Sequence, residues 1–164
     1  MSDRILVVGS TNMDLIVQTD RLPAPGETVV GGTFFQAHGG KGANQAVAAA
    51  RSGGKVTFLS SVGDDAFGLE CLAAIKEEGI DTAHARVVSA ATGIALITVD
   101  TNAENCIVVA PGANATLGAV QIEDAFKALP DLAVCICQLE TPLSGVQHAL
   151  SIAKKRNLLT ILDP

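Results

Sequence analysis

Four short apolar runs, at residues 5–8, 56–60, 133–138 and 158–162, constrain this chain more than any other feature. Each is short for a helix and too uniformly apolar for a strand with a wet face. That is the pattern of strands buried on both sides of a parallel sheet. Between them lie helical stretches. Residues 43–52 form an alanine-rich helix stopped by Gly53-Gly54, and Leu69, Leu72, Ala73 and Ile75 mark an amphipathic helix closed by Gly79. A third helix runs over 118–128 and ends before Pro130, and Thr141 is expected to cap a fourth with Pro142 at its first position. Strands alternating with helices predict βαβ units and an α/β fold. Residues 15–19, 28–36, 93–99 and 105–110 are β-rich but mixed, so they read as a separate small sheet with one exposed face.

A glycine-rich loop, Gly39-Gly40-Lys41-Gly42-Ala43-Asn44, runs straight into the first helix. Such a loop brings bare backbone close to a ligand, and the helix start offers unpaired N–H groups to polar or anionic atoms. It is not a Walker A loop, because Gly42 stands where Ser or Thr must follow the lysine. It is not the dinucleotide fingerprint either, because Gln45 occupies the place of the third glycine. Taken alone, the loop is equally consistent with a ligand cradle and with a tight turn bearing a solvated lysine.

Composition narrows the class. The 164 residues are 48% hydrophobic, enough for one domain with a real core. A formal charge of −6 without a basic run argues against nucleic acid as partner. No apolar stretch reaches membrane-spanning length and the first residues are not a signal peptide, so a cytosolic protein is expected. Cys71, Cys106, Cys135 and Cys137 lack metal-ligand spacing; the last two should share one strand face as buried thiols. Asn114-Ala115-Thr116 matches a glycosylation acceptor but is read as a coincidence. Three histidines, His38, His84 and His148, have no carboxylate or thiol partner at diagnostic spacing.

The stretch 39–63, with Asn44, Ala46, Gly53 and Gly63 in step, resembles the first signature of the ribokinase-like (PfkB) carbohydrate kinase family. Gly9-Ser10-Thr11-Asn12-Met13-Asp14 resembles that family's first sugar-binding turn, and Pro25-Gly26-Glu27-Thr28 its next landmark. Gly63-Asp64-Asp65-x-x-Gly68 and Gln138-Leu139-Glu140 follow in the family's order. The resemblance covers essentially the whole chain. It implies a mainly parallel sheet flanked by helices with a small β-sheet lid, and a site at the carboxyl ends of the strands. It also implies an ATP-dependent kinase that phosphorylates the 5-hydroxyl of a sugar such as D-ribose, and a homodimer formed through the lid sheet.

By resemblance the sugar contacts are Asn12, Asp14, Gly40, Lys41, Gly42, Ala43, Asn44 and Glu140. Read from the residues alone, Asn12 and Asp14 suit either a turn or a diol, since an amide donates and accepts while a carboxylate accepts from neighbouring hydroxyls. The acidic pair Asp64 and Asp65 is glycine-flanked and reads as a turn and helix start. The family's catalytic base lies in a Gly-Ala-Gly-Asp-like motif, and no such motif occurs here. Its nucleotide pocket, its magnesium-linked Asn-x-x-Glu motif and any monovalent cation site are likewise expected outside these residues. The chain ends at Asp163-Pro164 directly after a strand, so residues 1–164 read as the N-terminal, sugar-binding half of a longer kinase, inactive alone. The absence of Trp and Tyr favours a bare sugar over a nucleoside, and a non-catalytic sugar-binding or assembly module is the alternative of another class.

Overall fold

The computed structural model describes residues 3–164. In chain order the elements are β1 (Arg4–Val8), β2 (Asn12–Gln18), β3 (Thr33–Gly39), α1 (Lys41–Arg51), β4 (Lys55–Leu59), β5 (Ser61–Gly63) and α2 (Ala66–Glu77). There follow β6 (Arg86–Val88), β7 (Gly93–Val99), β8 (Asn105–Ala110), a 3-10 turn (Gly112–Thr116), α3 (Ala119–Ala128), β9 (Leu132–Gln138), α4 (Leu143–Lys155) and β10 (Leu159–Asp163). The main sheet has the order β10-β9-β1-β4 and every pairing is parallel.

The central strand explains why the apolar runs had to be continuous. Leu6, Val7 and Val8 are fully buried, and alternation sends them to opposite faces. Leu6 and Val8 join Ile122, Phe126, Val146 and Ala149 of α3 and α4 in one core cluster. Val7 joins Phe58 with Ala43, Ala46 and Ile75 of α1 and α2 in the other. Full burial of each such aliphatic side chain stabilises the fold by about 1.5–3 kcal/mol. Cys135 and Cys137 point into the first cluster with their sulfurs 3.9 Å apart, as the alternation predicts. β10 is an edge strand paired only with β9, and Leu159, Ile161 and Leu162 on it are exposed.

A second sheet, β3-β2-β7-β8, stands apart from the first and mixes antiparallel outer pairs with a parallel centre. Three expectations need correction here. The first strand of this sheet starts at Asn12, not residue 15, so Asn12 and Asp14 are sheet residues and not a turn. Of the segment 28–36 only the part from Thr33 is strand, and that strand continues to Gly39. This sheet is also exposed on both faces along β3 and β8, not on one. A further strand pair, β5 with β6, went unread because three-residue strands carry no periodicity.

Helix ends hold two more lessons. Thr141 does not cap α4: Pro142 occupies the cap position, and no side chain there closes the first turn. Asp65, by contrast, caps α2 as its glycine-flanked setting suggested, accepting from Gly68 N at 2.8 Å. It also accepts from the Thr92 N–H and hydroxyl, tying α2 to the base of β7.

Candidate functional site

The site begins where the chain leaves the main sheet. After β1, Gly9 N–H still bonds the Leu59 carbonyl at 3.0 Å, and Ser10, Thr11 and Asn12 are buried as the chain crosses into the second sheet. Glu140 lies two residues beyond β9, the parallel neighbour of β1. Both are therefore at the carboxyl edge, where open α/β sheets bind ligands.

α1 approaches the same edge end-on. Gly40 sets its entry with φ +93°, a conformation L side chains rarely adopt. The helix start then lies directly on the 9–10 link: a Cβ on Gly42 would sit 2.5 Å from Gly9 C and from Ser10 N. That contact lets the free N–H groups of the first turn find partners outside the helix. Lys41 N donates to Glu140 Oε2 at 3.0 Å, Gly42 N to Ser10 Oγ at 3.2 Å, and Ala43 N to the Ser10 carbonyl at 2.9 Å. Ser10 Oγ in turn donates to Glu140 Oε2 at 2.6 Å. One carboxylate oxygen is thus held by a hydroxyl and a helix-terminal amide, an arrangement the helix dipole favours.

Asp14 is the second carboxylate. It lies on β2, two residues beyond Asn12 and on the same face of the strand, against Gly39. Burial pushes its pKa above the ordinary carboxylate range, and the negative charge of Glu140 pushes it further in the same direction. No hydrogen bond from the protein compensates it among the described residues. A half-buried carboxylate facing another, with no internal donor, is an acceptor awaiting one.

Of the residues expected to touch a sugar, Asp14, Gly40, Lys41, Gly42 and Glu140 lie together at this edge. Lys41 and Asn44 are exposed on the first turn of α1. Ala43 is different: its side chain packs in the core beside Val7 and Phe58 and its N–H is taken by the Ser10 carbonyl. Asn12 is 4% exposed and its Oδ1 accepts from Asn114 Nδ2 at 2.8 Å. Ser10 and Asn114 were missed. Ser10 lies inside the first turn motif with nothing to mark it, and Asn114 heads a sequon read as a coincidence, in keeping with its burial at 1% exposure.

A cavity of 570 Å³ lies between α1 and α2 and is lined in part by Thr11, Gly39, Ala43, Asn44, Cys71 and Glu78. Neither Asp14 nor Glu140 lines it. His38 is exposed and pairs with Glu70 at 3.3 Å. Among the described residues no group of three or more His, Cys, Asp or Glu could hold a metal ion, and no step is assigned to one. No helix among them is long and apolar enough to cross a membrane.

Residues 2–164 match the pfkB family of carbohydrate kinases. A ribokinase of Haemophilus influenzae is 44% identical over 165 residues, covering 100% of this chain and 54% of that protein. A deoxyribokinase of Salmonella typhi is 38% identical over 161 residues, covering 98% of this chain and 53% of that protein. The solved structure of Arabidopsis thaliana ribokinase complexed with ribose and ATP superposes with a TM-score of 0.88 at 30% identity, over 100% of this chain and 54% of that one. The chain spans about half the length of the curated relatives it matches. Matching along its whole length in sequence and in fold, it belongs to the pfkB family of carbohydrate kinases.

Proposed function

We propose that the whole protein transfers the γ-phosphate of ATP to the 5-hydroxyl of D-ribose, and that residues 1–164 supply the sugar-binding half of its site. The observation that carries this reading is the pair of carboxylates at the carboxyl edge, Asp14 without a protein donor and Glu140 pinned by Ser10 and Lys41 N. Two acceptors facing one cleft select a ligand rich in neighbouring donors, which a sugar polyol is and a phosphate is not. The relative solved with ribose and ATP supports the same chemistry. In this reading Asp14 and Glu140 accept from hydroxyls, Asn12 and Lys41 donate, and Asn44 adds a contact from the first turn of α1. These groups bind and orient the sugar so that one hydroxyl faces the nucleotide, which is most of what phosphoryl transfer asks of a protein. ATP and its magnesium belong to residues beyond this chain.

The deoxyribokinase relative makes 2-deoxy-D-ribose the competing substrate within the family. The deciding experiment is a panel of D-ribose, 2-deoxy-D-ribose, D-fructose and ribonucleosides with the whole protein and ATP. D-ribose should give the highest kcat/KM; preference for another member corrects the substrate, and binding without turnover of any favours a non-catalytic module.

Asp14 yields a second expected result. Its raised pKa means the folded state holds that proton more tightly than the unfolded chain. Its contribution to stability is complete below the ordinary carboxylate range and is lost as pH rises through the raised value. At neutral pH the ionised group is therefore a net cost, retained for function. Asp14→Asn should raise the thermal midpoint at pH 7 while weakening D-ribose binding by calorimetry. A lower midpoint for the variant would contradict this.

The lid supports a dimer. Its face opposite Asp14 carries Val17, Phe34, Leu96 and Val108, all exposed, with Leu15, Leu96 and Val108 in one cross-strand row. A second copy of the same sheet is the proposed cover. Light scattering should find the whole protein dimeric and the double variant Leu96→Asp, Val108→Asp monomeric; a monomeric wild type refutes it.

A further inference from the structure

The geometry points to Asn114 as a positioning residue that fixes Asn12 as a hydrogen-bond donor to the sugar. The inference rests on the sugar-kinase reading above and deepens it. Asn114 is 1% exposed in the 3-10 turn after β8, far from the loop motif in sequence. Its amide orientation is set by backbone, which cannot flip: Thr11 N–H donates to Asn114 Oδ1 at 2.9 Å. The Nδ2 end must then face the other way, and it donates both to the Thr11 carbonyl at 3.0 Å and to Asn12 Oδ1 at 2.8 Å. With its oxygen turned toward Asn114, the Asn12 amide is oriented and its own Nδ2 faces the other way as a donor.

That nitrogen makes no hydrogen bond among the described residues. It is also not sealed in, since the buried side-chain atom lacking a partner among them is Gln138 Oε1. Asn12 shares its strand face with Asp14, so a donor and an acceptor stand two residues apart at the cleft. Gly93, paired with Asn12 across the sheet, leaves the room: a Cβ there would lie 2.3 Å from both Asn114 Nδ2 and Asn12 Oδ1. An unanchored amide would present oxygen or nitrogen to a hydroxyl indifferently. The Asn114 lock removes that choice before the sugar arrives, which is preorganisation.

A double-mutant cycle on the whole protein tests this. Asn12→Ala and Asn114→Ala should each raise KM for D-ribose about tenfold, the scale of one buried hydrogen bond, with kcat and KM for ATP little changed. Because Asn114 acts through Asn12, the double variant should match Asn12→Ala alone. Multiplied effects would make Asn114 merely structural and overturn the inference. Unchanged KM in Asn12→Ala, with ribose still phosphorylated, would overturn it while leaving the kinase reading intact. If Asn114→Ala does not fold, Asn114→Ser replaces it in the cycle. Failure of the wild type to phosphorylate any sugar of the panel would defeat the kinase reading and, with it, the assignment of a sugar to Asn12. The lock itself is read independently by NMR: the Asn12 side-chain amide, identified by its loss in Asn12→Ala, must shift on substitution of Asn114, and an unmoved resonance overturns the lock.

Discussion

Asp14→Ala in the whole protein is expected to lower kcat/KM for D-ribose at least tenfold, with KM for ATP nearly unchanged. The argument is electrostatic. Asp14 is held away from water and beside the charge of Glu140, both of which raise its pKa, and nothing in the protein donates to it among the described residues. The fold bears that cost in the empty site and recovers it only when a ligand brings donors. A charge-assisted hydrogen bond in such a setting is worth about 1.5–3 kcal/mol, and tenfold corresponds to about 1.4 kcal/mol. Glu140 would show the contrast. Its Oε2 is already occupied by Ser10 and Lys41 N, so Glu140→Ala would also release the start of α1 and lower stability. Asp14→Ala removes a charge that costs the fold at neutral pH and should not lower stability. A kcat/KM equal to wild type would remove Asp14 from the sugar site.

The division between what the sequence disclosed and what it hid follows from the physics of each signal. The main sheet was legible because central parallel strands are buried on both faces, so residues such as Leu6, Val7 and Val8 form runs that nothing else explains. Asp65 was legible as a helix cap because capping is a local, short-range event. The second sheet was blurred because its outer strands are exposed on both faces and carry little alternation, while β2 begins with Asn12 and Asp14, which look like turn residues until Gly39 and Gly93 are seen paired beside Asn12. Thr141 misled because a good capping residue next to a proline fits the cap rules, yet here the backbone turned one residue later. Asn114 was invisible as a partner of Asn12, since nothing in a 102-residue separation announces a contact. Residues in the loop motif could be gathered by resemblance, but the packing of Ala43 into the core beside Val7 and Phe58 depended on the helix axis.

Gly42→Ala is expected to produce the other large effect, on stability and sugar binding together. The new Cβ would meet Gly9 C and Ser10 N at 2.5 Å and Gly9 Cα at 2.7 Å. All three are backbone atoms, so no side chain can rotate out of the way. Either α1 tilts off the 9–10 link or β1 shifts within a close-packed sheet, and overpacking of this kind costs about 1–3 kcal/mol or more. Tilting is the cheaper response, because α1 buries mostly small residues whereas β1 is central to both core clusters. It would separate Lys41 N from Glu140 and Gly42 N from Ser10, so Glu140 would lose its anchor and swing. Thermal denaturation should therefore show a clear fall in midpoint, and KM for D-ribose should rise at least tenfold in the surviving folded protein. Gly118→Ala is the matched control: its Cβ would find only Thr116 O, at 3.7 Å, and its φ of −116° suits any residue. If both variants behave alike, the close approach of α1 to the first strand does not hold the site together.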